Sequence, residues 1–295
     1  MIIVIAGPTG VGKTKLSIEL AKKLNGEIIN ADSTQVFKDL DIATAKVTEE
    51  EKENIPHHLI DIKSIEEDYT VYDYQKDCRN KIKEIQEKNK TPIIVGGTGL
   101  YIKAALYDYQ FEEEQEKQDY SKYTNDELYE KLLKIDPNTE IHKNNRKRVE
   151  RALDYYLNHN KPISENNSKD KLLYDCIFIG LTTDREKLYQ NINLRVDKMI
   201  ENKLIEEAKK IYDSNIRTKA VMTPIGYKEL FEYFDKKISL EESIELIKQR
   251  SRKYAKRQYT WFKNQMEINW FDVDFDNFNN TVNKIIKFIN TKKSW

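Results

Sequence analysis

The sequence predicts an α/β fold in which a parallel sheet is flanked by helices and interrupted by an all-helical insert. Three observations lead there. Short apolar runs alternate with helical patterns through the first hundred residues. Core-like segments return after residue 171, and the stretch before them carries helical periodicity only. Strands alternating with helices of roughly ten or more residues build parallel βαβ units.

In chain order, residues 2–6, 27–30, 58–62 and 92–96 read as buried strands, with helices over 13–24 and 73–87 among them. After Tyr107 the pattern changes. Glu112, Glu113, Glu114, Glu116 and Asp119 make an acidic, glycine-free bridge into helical patterns at 125–134 and 144–157. Residues 161–170 are polar and rich in breakers, which predicts a loop. A strand at 175–181, a helix over 185–213 and an edge strand at 270–273 complete the series. The expected organisation is therefore a discontinuous core, 1–106 with 172–295, around an insert at 107–171.

Composition narrows the function classes. The 295 residues are 39% hydrophobic, enough for one large core, while 34% charged residues and a mean hydropathy of −0.77 describe a wet surface. No apolar run approaches the ~20 residues that cross a bilayer, so no membrane role is expected. The chain opens on a short apolar run and a glycine loop, from which no secretory signal is expected. Cys78 and Cys176 stand far apart and read as reduced thiols of a cytoplasmic protein. His57, His58, His142 and His159 lack metal-ligand spacing and read as structural or surface residues. With 50 Lys+Arg against 50 Asp+Glu, any nucleic-acid surface must be local.

Gly7, Pro8, Thr9, Gly10, Val11, Gly12, Lys13 and Thr14 fit G-x-x-x-x-G-K-[ST]. Glycines let backbone N–H groups turn onto phosphate oxygens, and the following helix points its positive end at them. Lys13 adds a point charge, and the Thr14 hydroxyl can ligate a Mg²⁺ on the same phosphates. An apolar strand precedes the loop, and Leu16, Leu20 and Leu24 give the next helix a buried stripe. The fold class sharpens accordingly to a P-loop NTPase-like sheet. Such a loop is a nucleotide- or ATP-binding signature that leaves the reaction open.

An ordinary phosphoryl-transfer enzyme holds Mg²⁺ with an acid at the end of a second buried strand. Here that strand ends in Gly96-Gly97-Thr98-Gly99-Leu100-Tyr101, offering a hydroxyl and flexible backbone. The acid placed just after a strand is Asp32, followed by Ser33, Thr34 and Gln35. Strand ends beside the phosphate loop form one edge, so Asp32 and Thr98 should face one pocket. From position alone Asp32 serves equally well as a helix N-cap.

Together these segments resemble the bacterial tRNA dimethylallyltransferases. The resemblance rests on residues 7–14, Asp32-Ser33-Thr34-Gln35-Val36-Phe37, Asp41-Ile42-Ala43-Thr44-Ala45-Lys46 and Pro56-His57-His58-Leu59-Ile60-Asp61. It continues through residues 95–101 and Lys256-Arg257-Gln258-Tyr259-Thr260-Trp261-Phe262-Lys263, essentially end to end. Ala43 stands where the family usually has Gly, Val47 and Lys143 where it often has Pro, and Asn191 where Arg is frequent.

The resemblance implies transfer of a dimethylallyl group from dimethylallyl diphosphate to N6 of the adenosine beside a tRNA anticodon, position 37. The phosphate loop, with Mg²⁺ on Thr14, would stabilise charge on the departing diphosphate. A carboxylate would accept the N6 proton as the new bond forms, a role that falls to Asp32, with Thr98 contacting the leaving oxygen. Arg195, beside the helical face of Ile192, Val196, Met199 and Ile200, is assigned by resemblance to the diphosphate; an internal salt bridge is the alternative.

Residues 246–266 hold seven Lys/Arg and no acid. One-signed flanks with interleaved aromatics favour an RNA surface over a merely solvated face. The residues expected to contact tRNA there are Lys256, Arg257, Gln258, Trp261 and Lys263. Lys147, Arg148 and Arg151 form a second cluster on the insert. Thr223, Gly226, Tyr227 and Lys228 match a family tRNA-contact segment, with Tyr227 free to stack. The target base must leave its stack, and Ser33, Thr34 and Gln35, together with Asp32 and Thr98, could meet its edge. The expected partners are the tRNA anticodon stem-loop and dimethylallyl diphosphate, with no obligate protein partner. The alternatives are a P-loop kinase of a nucleotide or small metabolite, a nucleotide-switched RNA-binding protein, and an enzyme that prenylates free adenine nucleotides.

Overall fold

In a computed structural model of the protein, residues 1–109, 111, 117–165 and 171–293 are described. Glu112, Glu113, Glu114 and Glu116 of the acidic bridge and residues 166–170 of the expected loop lie outside them. By contacts the chain separates into two compact units, Met1–Leu106 with Tyr174–Trp295, and Tyr107–Leu173.

The first unit is built on a six-stranded sheet. Its strands are β1 (Ile2–Ala6), β2 (Gly26–Asn30), β3 (His57–His58), β4 (Thr91–Val95), β5 (Cys176–Thr182) and β6 (Asn269–Asp272). They lie in the order β3-β2-β4-β1-β5-β6, and every pairing is parallel. All five residues of β1 are buried, as a strand covered on both faces requires. Helices α1 (Lys13–Leu24), α2 (Glu49–Lys52), α3 (Val71–Glu87) and α4 (Gly99–Leu106) connect the early strands. Leu16 and Leu20 of α1 are fully buried in the core formed with Ile3, Ile5 and Ile28.

The second unit holds α5 (Asn125–Ile135) and α6 (Arg146–His159). Leu128, Leu132, Val149 and Ala152 close its small core. Arg146 serves the unit itself, reaching the carbonyls of Tyr120 and Tyr123 and the Glu150 carboxylate.

After β5 come α7 (Arg185–Glu201), α8 (Leu204–Asp213), α9 (Lys219–Met222), α10 (Tyr227–Phe234), α11 (Leu240–Gln265) and α12 (Phe278–Lys293). Two expectations fail here for the same reason. The helix expected over 185–213 is two helices, because Lys203 between them adopts φ 70°. The strand expected at 58–62 stops at His58, because Leu59 and Asp61 adopt φ 61° and 55°. A left-handed residue turns the chain out of either regular structure. The expected edge strand is present as β6, in register with β5 from Ile179↔Asn269 to Thr182↔Asp272.

Candidate active site and nucleic-acid interface

The carboxyl ends of β1, β2 and β4 bring the phosphate loop, the Asp32 turn and the Gly96–Thr98 stretch to one sheet edge. β1 lies between β4 and β5, the kind of position where open α/β sheets bind ligands. The loop glycines Gly7, Gly10 and Gly12 have φ of 142°, 80° and 97°. Gly7 also lies against β5, where an added Cβ would come within 2.8 Å of the Leu181 carbonyl oxygen. Gly12 starts α1 without any side-chain cap, so the helix's first amides stay open toward the loop.

Two cations border this space, neither in an ion pair with a carboxylate among the described residues. Lys13 Nζ donates to the Pro8 carbonyl at 2.7 Å, which arches the side chain over its own loop. Burial, with the nearby Arg195 charge, pushes the Lys13 ammonium down to about 7; the Asp32 charge opposes the shift. Arg195, on α7, is lowered by burial, with Asp32 and Glu51 acting the other way. It forms no ion pair within the described residues, so the internal salt-bridge alternative is not what the structure contains. Thr14 is exposed at the mouth of the loop.

Asp32 is held from below by Asn30, which is almost fully buried at the end of β2. The Asn30 amide accepts from the Asp32 N–H at 3.0 Å and donates to the Asp32 carbonyl at 3.1 Å and the Leu59 carbonyl at 3.0 Å. Asp32 Oδ1 accepts from the Thr34 amide at 3.0 Å and from its hydroxyl at 2.7 Å. Oδ2 accepts no hydrogen bond from the described residues. The carboxylate is thus oriented through one oxygen and available through the other. Thr98 joins the same turn: its amide donates to the Ala31 carbonyl at 3.1 Å. Its Oγ1 accepts from the Ser33 amide at 3.0 Å and donates to the Ser33 hydroxyl at 3.2 Å.

Asp32 and the two cations open into a cavity of about 950 Å³ whose wall includes Lys13, Thr14, Asp32, Arg195, Thr223 and Arg257. Thr98, expected in the same pocket, stands behind it against Ser33 and is not among the lining residues. Ser33 and Gln35 also line it, although Gln35 is partly committed: its Nε2 donates to the carbonyls of Thr44 and Ala45 at 3.0 and 3.3 Å. Only its amide oxygen remains for a ligand, which narrows the expected donor-plus-acceptor reading of a base edge. The Thr34 hydroxyl is likewise spent on Asp32.

Three expected RNA contacts are corrected. Tyr227 is fully buried, and its hydroxyl donates to Glu207 Oε1 at 2.7 Å, so it cannot stack on a base. Glu207 in turn accepts from the amides of Asp41, Ile42 and Ala43, fixing the loop that lines one cavity wall. Gly226 is buried too, and its close approach is to Ala43, whose Cβ lies 3.2 Å from where a Gly226 Cβ would sit. Gln258 is 5% exposed and bonded to protein backbone on both sides.

Along α11 the cations divide. Lys248 pairs with Asp197 at 2.7 Å, Arg250 with the buried Glu229 carboxylate, and Arg252 with Asn193 at 2.5 Å. Lys253, Lys256, Arg257 and Lys263 are exposed, with Arg257 over the Tyr254 ring. Trp261 is half-buried against Gly99, and Tyr259 packs on Trp270. Lys228 is exposed at the start of α10; on α6 of the other unit, so are Lys147, Arg148 and Arg151. Sequence reasoning missed Asn30 and Tyr254. The latter lines the cavity one turn before Gln258, and its phenol lies within the influence of the Asp32 charge; the i, i+4 spacing was its signal.

A phosphate-loop sheet that brings one oriented carboxylate and two cations to the wall of a single cavity has the makings of an anion-binding site. The family model for IPP transferase matches residues 35–265. A tRNA dimethylallyltransferase of Anoxybacillus flavithermus is 51% identical over 99% of this chain and 96% of its own. The crystal structure of the full-length tRNA isopentenylpyrophosphate transferase from Bacillus halodurans is similar, with a TM-score of 0.78 and 44% identity. That match covers 99% of this chain and 96% of the other. A eukaryotic dimethylallyltransferase captured acting on tRNA gives a TM-score of 0.84 at 34% identity, over 98% of this chain and 79% of the other. The chain belongs to the IPP transferase family.

Proposed function

We propose that this protein transfers a dimethylallyl group from dimethylallyl diphosphate to N6 of the adenosine 3′-adjacent to the tRNA anticodon, position 37, releasing diphosphate. The observation that carries the reading is the convergence on one cavity of Lys13, Arg195 and the free oxygen of Asp32. The family membership and the names of the relatives support it over a kinase.

In this reaction the adenine N6 attacks C1 of the allyl group, the C1–O bond breaks, and its electron pair leaves on the diphosphate. Lys13, Arg195 and the amides of residues 7–14 stabilise that growing negative charge. Asp32 Oδ2 takes the N6 proton while Oδ1 stays fixed by Thr34. Thr98 holds the Asp32 turn through Ser33, and contact of its hydroxyl with the leaving oxygen would require it to turn from the Ser33 hydroxyl.

The residues fit a Mg²⁺ that takes one protein oxygen. Among the described residues no group of three or more His, Cys, Asp or Glu could hold a metal. The exposed Thr14 hydroxyl therefore suits an ion that draws its other ligands from water and phosphate. When bound, Mg²⁺ supplies further positive charge to the diphosphate oxygens. Exposed Lys256, Arg257 and Lys263 of the first unit would supply cations for the anticodon stem-loop.

The test is an incubation of the protein with labelled dimethylallyl diphosphate, Mg²⁺ and unmodified tRNA. Label should appear on tRNA and not on AMP, without ATP consumption. Asp32→Ala should lower turnover by about 10²-fold or more while tRNA affinity stays nearly intact. Label on AMP or ATP hydrolysis would contradict the proposal, and near-wild-type turnover of the variant would remove Asp32 from the chemistry.

A further inference from the structure

Gln258 belongs by position to the RNA-facing helix and by contact to the phosphate site. Its Oε1 accepts from the Thr9 amide at 2.9 Å, across 249 residues of sequence. Its Nε2 donates to the Gly97 carbonyl at 3.1 Å. Both bonds fix the amide orientation, since an N–H meets the oxygen and a carbonyl meets the nitrogen. One side chain thus joins the phosphate loop after β1 to the strand end after β4. Those are the two segments that must hold their spacing if the loop amides are to point at one anion while Asp32 points at the base.

The glycine at 97 is explained by this contact. A Cβ there would overlap Gln258 Nε2, so the chain keeps position 97 bare where the amide lies on it. One turn further on, Trp261 covers Gly99 in the same way. α11 is therefore seated on the Gly96–Gly99 stretch by two consecutive side chains of one face. The next face carries Lys256 and Arg257, both exposed, with Arg257 lying over the Tyr254 ring at the cavity wall.

We infer that Gln258 is a positioning residue for diphosphate binding rather than an RNA ligand, and that it ties the RNA-facing helix to the phosphate loop. This rests on the reading of the cavity as a diphosphate site. Bare backbone amides at a phosphate loop bind anions only when held in a common direction, and a buried hydrogen bond supplies that at low entropic cost. Thr9 is the loop residue whose amide Gln258 occupies, so the bracket fixes the loop's entry and leaves the later amides free.

The experiment separates the two sites. Binding of inorganic pyrophosphate with Mg²⁺ is measured by calorimetry without RNA, and binding of an unmodified anticodon stem-loop is measured without pyrophosphate. Q258L, which fills the space without either bond, should weaken pyrophosphate about tenfold, as expected for one to two buried hydrogen bonds, and leave RNA affinity within about twofold. Lys256→Ala/Lys263→Ala, at two exposed cations outside the cavity wall, should do the reverse. Q258E keeps the acceptor for Thr9 and loses the donor to Gly97. It should also lose pyrophosphate affinity at unchanged RNA affinity, and it carries the test if Q258L does not melt cooperatively. Unchanged pyrophosphate binding in both variants would overturn the inference, as would a loss of RNA affinity equal to the loss of pyrophosphate. If wild-type protein binds no pyrophosphate, the diphosphate reading itself fails, an outcome distinct from either of these.

Discussion

Lys13 shows how one residue's environment sets a functional pH limit. In the free protein its ammonium titrates near neutrality because it is buried beside Arg195, with Asp32 only partly compensating. A diphosphate would favour the charged form, so binding should take up a proton, and affinity should fall as pH rises from about 7 toward the ordinary lysine value. The linkage has the opposite sign for folding. Between about 7 and 10.5 the unfolded chain holds the Lys13 proton that the folded one releases, so this group makes the ligand-free protein more stable as pH rises. Calorimetry of dimethylallyl diphosphate binding in buffers of different ionisation enthalpy tests the first statement. The proton uptake should disappear in Lys13→Met, and an unchanged uptake in that variant would assign it to another group. Lys13 and Asp32 were legible in the sequence because a loop motif and a strand end place them through local backbone. Tyr227, Gln258 and Gln35 were not, because their partners Glu207, Thr9 and the Thr44 carbonyl are contacts that only folding creates.

At the scale of elements, glycine spacing marks where segments touch. The Gly96-Gly97-Thr98-Gly99 run reads in sequence as flexible backbone at a strand end. In the structure these glycines are spaces filled by neighbours: the Ala31 backbone at Gly96, Gln258 at Gly97 and Trp261 at Gly99. Their costs on substitution should differ. A Cβ on Gly96 would overlap the Ala31 carbonyl, and backbone cannot swing aside as a side chain can. Gly96→Ala should therefore cost about 3 kcal/mol in denaturant unfolding, the upper end for overpacking. Gly97→Ala meets only the end of the Gln258 side chain, so it should spare most stability and weaken pyrophosphate instead. Equal stabilities for the two variants would mean that β2 and β4 can separate at their ends. The element pattern itself was readable because apolar runs and helical stripes are local. The early stop of β3 and the break between α7 and α8 were hidden, because Leu59, Asp61 and Lys203 take left-handed conformations without being glycine.

For the whole molecule, a net charge of zero conceals a local surplus. The 50 cations and 50 anions cancel over the chain, yet residues 246–266 contain no acid. The structure sorts that run into cations already held by Asp197, Glu229 and Asn193 and cations left exposed at Lys253, Lys256, Arg257 and Lys263. Counterion release counts only those that meet phosphates, so the salt dependence of tRNA binding should follow the exposed group and ignore both the net charge and the paired residues. Each phosphate contact contributes about 0.7–0.9 to the slope of log K against log salt, so Lys256→Ala/Arg257→Ala should flatten it by about 1.5. Lys248→Ala, which removes a paired cation of the same helix, should leave the slope near its wild-type value. The measurement is a salt titration of stem-loop binding from low to moderate ionic strength for all three proteins. Equal flattening by both variants would mean that the Lys248–Asp197 pair opens on RNA binding, and no flattening by the double variant would place the RNA on another face.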